Sequence, residues 1–351
     1  MIRALRTASA ALALSVAMLA AGPSAAQPGG VPLPERSCQR ECLEGFVDKY
    51  LQAMADGEVD PELFAPNARF TENGVQLPLG NEGLWATTTA PGKYKFYVPD
   101  IETQQVAFLG TVMEQATSSA AGAPRAPEPV GLSLRLRIVD GKITEIEQIA
   151  ARPERGLGAN PAPSTSPFPA TGAAVEAMGA PHPIFLSAVP EAERMERADL
   201  IAVANQYFTG MQRNDGQGYY PFTDDCDRLE NGALTTNRPG MIRMGDVDIG
   251  AMGCKAQFST GLYGVVTQVH QRRFPVIDEE RQVVWAHAVF DHCGCKRELT
   301  MPDGRVVPIA GFTRPSSILL AEAFAIRGDL IEQVEAVGTS VPYHSGTGWG
   351  E

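Results

Sequence analysis

The sequence predicts an α+β protein assembled from two copies of one unit. Phe46-Val47-Asp48-Lys49-Tyr50 is echoed by Val203-Ala204-Asn205-Gln206-Tyr207, and Glu72-Asn73-Gly74 returns after a similar gap as Glu230-Asn231-Gly232. In each copy a segment of helical period precedes several of strand period, an order that indicates helices packed on an antiparallel sheet. A chain of 351 residues accommodates two such units, each able to bury its own core.

Residues 1–26 read as a secretory signal: Arg3 and Arg6 precede an apolar run from Ala8 to Ala21, followed by Pro23 and Ser24-Ala25-Ala26. An exported protein, periplasmic or secreted, is expected, with no membrane attachment after cleavage. Loss of Arg3 and Arg6 takes the formal charge from −12 to −14, which disfavours nucleic acid and anionic lipid as partners. The Pro- and Gly-rich residues 27–37 form an extended leader.

The first unit, 36–152, opens with Leu43, Phe46, Val47, Tyr50, Leu51 and Met54 at helical spacing, one apolar stripe facing a core. Strands follow at 94–98, 105–109, 132–138 and 142–146, the last two joined across Asp140-Gly141, a strong hairpin signal. Residues 153–192 are rich in Pro, Ala and Gly and read as a linker. The second unit, 193–340, repeats the order: a helix carrying Leu200, Val203, Tyr207 and Met211, then strands near 264–276, 282–292, 316–326 and 330–337. Asp100 and Asp278 recur at matching places.

The six cysteines of the exported chain are even in number, as a disulfide framework requires. Cys226 and Cys254 flank Glu230-Asn231-Gly232 and are placed to staple that loop. Cys38 and Cys42 can pair only if the helix starts late. Cys293 and Cys295 are close for an unstrained bridge, leaving them free, paired elsewhere or paired with each other.

The Tyr-bearing helix, the Glu-Asn-Gly segment and the closing Ile-x-Glu-Ile-Glu strand resemble the nuclear transport factor 2-like (NTF2-like) superfamily, and in particular its SnoaL-like members in tandem. Arg69 to Gly74 and Arg272 to Glu280 are similar to a family of secreted proteins with this fold. The resemblance implies two cone-shaped domains, each with N-terminal helices on a curved antiparallel sheet and an apolar pocket, packed on each other as a pseudo-dimer. Ketosteroid isomerases, scytalone dehydratase, polyketide cyclases and epoxide hydrolases share the scaffold, as do proteins that only bind or assemble, so the site must name the chemistry.

Acid–base work on such a scaffold needs a buried proton carrier and an oxyanion donor. The strand Val283 to His292 places Trp285, His287 and Asp291 on one face and Phe290 and His292 on the other. His287 and Asp291 stand about 13 Å apart along it, too far to pair directly. A neighbouring strand offers His270 and Arg272. Antiparallel pairing would set His270 or Arg272 beside His287 or Asp291 within the second pocket. The first unit has no histidine.

The expected catalytic set is therefore His287 as acid/base, His270 or Asp291 as its partner, and Tyr207 or Arg272 as the oxyanion donor. Glu230, Asn231, Trp285 and Asp278 are candidate binding residues. For Glu230 a capping role competes with a pocket role, for Asp278 a strand-ending turn, and for Tyr207 a core role. His287, Asp291, His292, Cys293 and Cys295 crowd one segment, but no familiar zinc spacing is present and no metal or other cofactor is expected. Phosphate-loop and nucleophile-elbow patterns are absent. These features predict a lyase, isomerase or cyclase acting on a small apolar or aromatic molecule, or else a non-catalytic binding or assembly module.

Overall fold

The computed structural model describes residues 38–115, 126–152, 171–309 and 311–350. The expected signal segment, the leader and residues 153–170 of the linker lie outside them.

Helix α1 (Arg40–Asp56) buries Leu43, Phe46, Val47, Tyr50, Leu51 and Met54, the stripe its spacing predicts. It stops at Gly57, whose φ of 70° supplies the left-handed cap that a side chain would resist. Cys38 lies just outside the first turn and is bonded to Cys42.

Strands β1 (Phe64–Glu72) and β2 (Val75–Gln76) are joined by Asn73-Gly74, both at positive φ. Then come β3 (Thr88–Asp100), β4 (Gln105–Glu114), β5 (Glu128–Val139) and β6 (Lys142–Ala151), in a sheet of order β2-β1-β6-β5-β4-β3. Asp140-Gly141 makes the β5–β6 hairpin turn, again with both φ positive.

The stretch read as a linker contains α2 (Thr171–Met178), whose Val175 is fully buried, followed by the buried Phe185. Its Ala and Gly residues let a short helix approach β5 closely. A low-complexity composition conceals that packing.

Helix α3 (Arg197–Gln212) begins the second copy. Next are β7 (Phe222–Glu230), β8 (Ala233–Leu234), β9 (Arg243–Met244), β10 (Val247–Asp248), α4 (Cys254–Phe258), β11 (Gln268–Asp278), β12 (Val283–His292), β13 (Glu298–Thr300), β14 (Val306–Pro308), β15 (Ser316–Arg327) and β16 (Leu330–Val341). The second six-stranded sheet runs β8-β7-β16-β15-β12-β11, the order of the first with each strand replaced by its counterpart. Even the single parallel pairing recurs, β1 with β6 and β7 with β16. Asn231-Gly232 repeats the positive-φ turn of Asn73-Gly74. Each Asn side chain bonds the backbone of the last strand at both its oxygen and its nitrogen, Asn73 to Ala150 and Asn231 to Gly338.

Cys226 and Cys254 join β7 to α4, as their flanking of the loop predicts, and Cys293 bonds Cys295 across a single glycine. No described helix is long and apolar enough to cross a membrane.

Among the described residues hydrophobic burial comprises three layers and a small outlying cluster of Val247, Ile249, Met301 and Val307. One core lies under α1 and one under α3, and the third lies between the sheets, where Phe96, Leu109 and Ile149 of the first meet Val276, Trp285 and Val337 of the second. Paired charges hold the two copies reciprocally. Arg40, at the start of α1, makes a two-pronged contact of 2.7 and 2.9 Å with Asp278, while Arg197, at the start of α3, pairs with Asp100. The C-terminal tail then returns to the first sheet, where the Trp349 indole donates to Thr71 Oγ1 at 2.6 Å. Its ring lies under the guanidinium carbons of Arg69 and Arg135, at 4.1 and 4.7 Å from the ring centre.

Candidate functional site

The alternation along β12 is as expected, but the faces serve other purposes. Val284, Ala286, Ala288 and Phe290 pack under α3, whereas Val283, Trp285 and Val289 belong to the layer between the sheets. His287 shares the second face, so it does not sit beneath the helix as an acid/base would. Both faces of β12 are buried, and period-two spacing separates two faces without saying what covers each.

His287 is bound into a network that joins the sheets. The Trp285 indole donates to its Nε2 at 3.0 Å, which puts the ring proton on Nδ1. That Nδ1 is 3.3 Å from Glu147 Oε1 but outside hydrogen-bond alignment. Burial drives the imidazole down to about 3, with Glu147 opposing and Arg273 and Arg135 adding to the fall. Burial alone would raise Glu147, but His287, Arg135 and Arg273 outweigh it and hold the carboxyl below its ordinary value. A neutral, enclosed imidazole locked by Trp285 is a structural member of the interface.

His270 and Asp291 do come together, with Nε2 3.3 Å from Oδ1. A third residue joins them that no local pattern revealed: His344 Nδ1 is 2.7 Å from Asp291 Oδ2. Burial pushes the Asp291 carboxyl up, but hydrogen bonds from Ser317 and His344 and the proximity of His270 bring it below the usual value.

Other expected residues hold structure. Arg272 spans β11 and α3, donating to Thr209 Oγ1 at 3.0 Å, Asn205 Oδ1 at 3.2 Å and Gln212 Oε1 at 2.8 Å. It clamps α3 to β11. Asp278 pairs with Arg40 and accepts the Arg281 N–H at 3.1 Å, the turn role weighed for it. Asn231 is committed to Gly338. His292 stacks on Phe312, 3.8 Å between ring centres, and burial lowers it to about 4.

Beneath α3 the second copy holds a different polar cluster. Tyr207, fully buried, donates to Glu322 Oε1 at 3.1 Å. Phe222, Phe258 and Phe324 surround the Tyr207 ring at 5.0 to 6.0 Å between centres. Burial, reinforced by Glu230, raises the Glu322 carboxyl to about 8 against the opposing pull of Arg228 and Tyr207.

Arg228 enters the same core from β7. Its Nη2 donates to Gln257 Oε1 at 3.0 Å and to the Tyr263 hydroxyl, and stands 3.6 Å from Glu230 Oε1. Glu230, half-buried, thus faces the cluster. Burial pushes the Tyr263 hydroxyl up to about 12 despite Arg228.

Three buried atoms in this cluster lack a hydrogen-bond partner: Arg228 Nε, Arg228 Nη1 and Glu322 Oε2. A buried polar group without a partner costs about 1–3 kcal/mol. The sequence contains a signal for this cluster, a single carboxylate inside Leu319-Leu320-Ala321-Glu322-Ala323-Phe324. An apolar crevice elsewhere, bounded by Met244, Val247, Leu299 and Met301, has no titratable lining residue.

Residues 193–338 match a family described as a domain of unknown function, DUF8021. No curated protein matches the chain. Among solved structures, a de novo designed protein with a curved β-sheet is similar at 12% identity, covering 41% of this chain and 88% of its own, with a TM-score of 0.25. An NTF2-like protein from Anabaena variabilis ATCC 29413 is similar at 15% identity, covering 42% and 96%, with a TM-score of 0.25.

Proposed function

We propose that the chain is an exported, cofactor-independent enzyme of the lyase, isomerase or cyclase type, with two cone-shaped NTF2-like domains and its acid–base step beneath α3. The observation that carries this reading is the unclaimed polarity of Glu322 Oε2 and of Arg228 Nε and Nη1, buried among aromatic rings. A carboxyl at about 8 exchanges a proton near neutral pH, where acid–base catalysis is most effective.

Because Tyr207 occupies Oε1, the exchangeable proton belongs on Oε2, the atom without a partner. The Arg228 guanidinium, charged throughout, faces the group on which negative charge develops, such as an enolate oxygen. Phe222, Phe258 and Phe324 favour a small apolar or aromatic molecule carrying one polar oxygen. Tyr207 positions the carboxyl.

The test is heat stabilisation of the purified protein by aromatic, steroid and polyketide-like compounds, followed by turnover of those that stabilise. Glu322→Gln is expected to cut turnover by about 10²–10⁴-fold. Arg228→Met is expected to weaken stabilisation. Stabilisation and turnover unchanged in both variants would overturn the assignment. The extensive core shared by the two sheets favours one rival, a non-catalytic tandem module packed as a pseudo-dimer. Ligand binding without turnover selects it.

A further inference from the structure

We infer that His270, Asp291 and His344 form a binding site for a divalent first-row transition ion, at the edge of the second sheet and separate from the cluster beneath α3. The three residues offer two imidazole nitrogens and a carboxylate oxygen, all within 4.8 Å of one another. Zinc binds such atoms at about 2.0–2.2 Å, so small side-chain rotations close the group around an ion.

Two departures from regular backbone aim the histidines at Asp291. The β11–β12 register slips just after His270, and Gln271 takes a φ of 49° there, a bulge that redirects the neighbouring side chain. His344 itself has a φ of 64°, a left-handed conformation costly for a residue with a Cβ. Its backbone N–H donates to Ser317 Oγ at 2.8 Å, and the same hydroxyl donates to Asp291 Oδ1. One serine thereby orients both a ligand carboxylate and the segment bearing a ligand imidazole, the supporting shell expected of a metal site.

Exposure fits as well. Asp291 is wholly buried, His270 is 15% exposed and His344 60% exposed, so the charge is enclosed while one side opens to solvent. Three protein ligands with an open position match a site that admits water or a ligand atom. A single Asp–His ion pair would need one imidazole, not two whose ring centres lie 4.9 Å apart.

The experiment is isothermal titration of Zn²⁺ into untagged protein dialysed against EDTA, repeated with Mn²⁺ and Fe²⁺, and visible spectroscopy with Co²⁺ to report nitrogen ligation. One ion per chain is expected. His344→Ala, at an exposed position, should weaken binding at least about 100-fold while the metal-free protein keeps its wild-type circular dichroism. Ser317→Ala should weaken it about 10–100-fold. His182→Ala, at an exposed histidine outside the group, should leave it unchanged. Wild-type protein that binds none of the three ions, or one-to-one binding that survives both His344→Ala and Asp291→Asn, would overturn the site.

Discussion

The polar clusters beneath α1 and α3 occupy corresponding places and are completed differently. Register pairs Phe70 with Ile146 and Glu72 with Gln148 in the first copy, and Arg228 with Val334 and Glu230 with Ala336 in the second. Arg228 therefore stands where the first copy has Phe70. By the same reading Glu322 replaces Leu134, and Ala336 replaces Gln148.

Beneath α1 the Tyr50 hydroxyl donates to Gln148 and accepts from the Trp85 indole, Gln148 donates to Glu72, and Glu72 also accepts the Leu84 N–H and pairs with Arg152. Each group satisfies the next. Beneath α3 Ala336 stands in place of the Gln148 amide, and Arg228 Nε, Arg228 Nη1 and Glu322 Oε2 are left without a partner. The circuit beneath α1 closes on itself, whereas the one beneath α3 leaves three buried polar atoms unpartnered.

The greatest contrast is expected in activity. Glu322→Gln lowers turnover of a bound substrate by about 10²–10⁴-fold, while Tyr50→Phe, in the closed circuit, leaves it unchanged. Equal effects would erase the functional asymmetry. Next comes stability. Arg228→Phe and Glu322→Leu install the residues of the first copy, and each alone should cost about 1–3 kcal/mol by orphaning its neighbours. The pair together should recover that loss, since apolar replacement of a whole buried polar group is often neutral or stabilising. Denaturant unfolding of the singles and the double decides it, and additive losses would refute the idea.

A pH dependence follows in size. With Glu322 raised to about 8 from 4.5, the folded protein holds a proton the unfolded chain releases, so stability falls as pH rises between those values. Glu335, which receives the Tyr94 hydroxyl and is raised by burial to about 7, adds the same sign. His287 works oppositely: lowered to about 3, its contribution is lost as pH falls from 6.5. Thermal midpoints across pH should show Glu322→Gln removing its part of the fall between about pH 4.5 and 8 and leaving intact the loss that His287 causes below 6.5. The smallest effect concerns the reciprocal clasp. Arg40→Ala and Arg197→Ala should each cost about 1.5 kcal/mol, and the losses should not simply add, because both clasps hold residues 277–280: Arg197 also reaches Glu279 and Asp100 accepts the Ile277 N–H.

Much of the fold was readable because it depends on local chemistry. The α1 stripe, the two Asn-Gly turns, the Asp140-Gly141 hairpin and the Cys226–Cys254 staple follow from spacing and turn preference. The site was less readable. Alternation placed His287 opposite Phe290 correctly, but β12 is buried on both faces, and only the packing of the two sheets decides which one meets the helix. His344 reaches Asp291 from 53 residues away through a tail with no periodicity, so nothing local linked them. Arg272 resembled an oxyanion donor until α3 supplied its acceptors. Glu322 was the visible clue, a charge interrupting an apolar strand.

Trp349 gives the tail an optical signature. Its ring centre lies 4.1 and 4.7 Å from two guanidinium carbons and the residue is partly exposed, whereas Trp85 and Trp285 are buried. Selective quenching by iodide therefore reports whether the tail is docked, because release exposes this one indole and takes it away from the two guanidiniums beside it. The same release carries His344 away from Asp291, so fluorescence and ion occupancy should change as a single event.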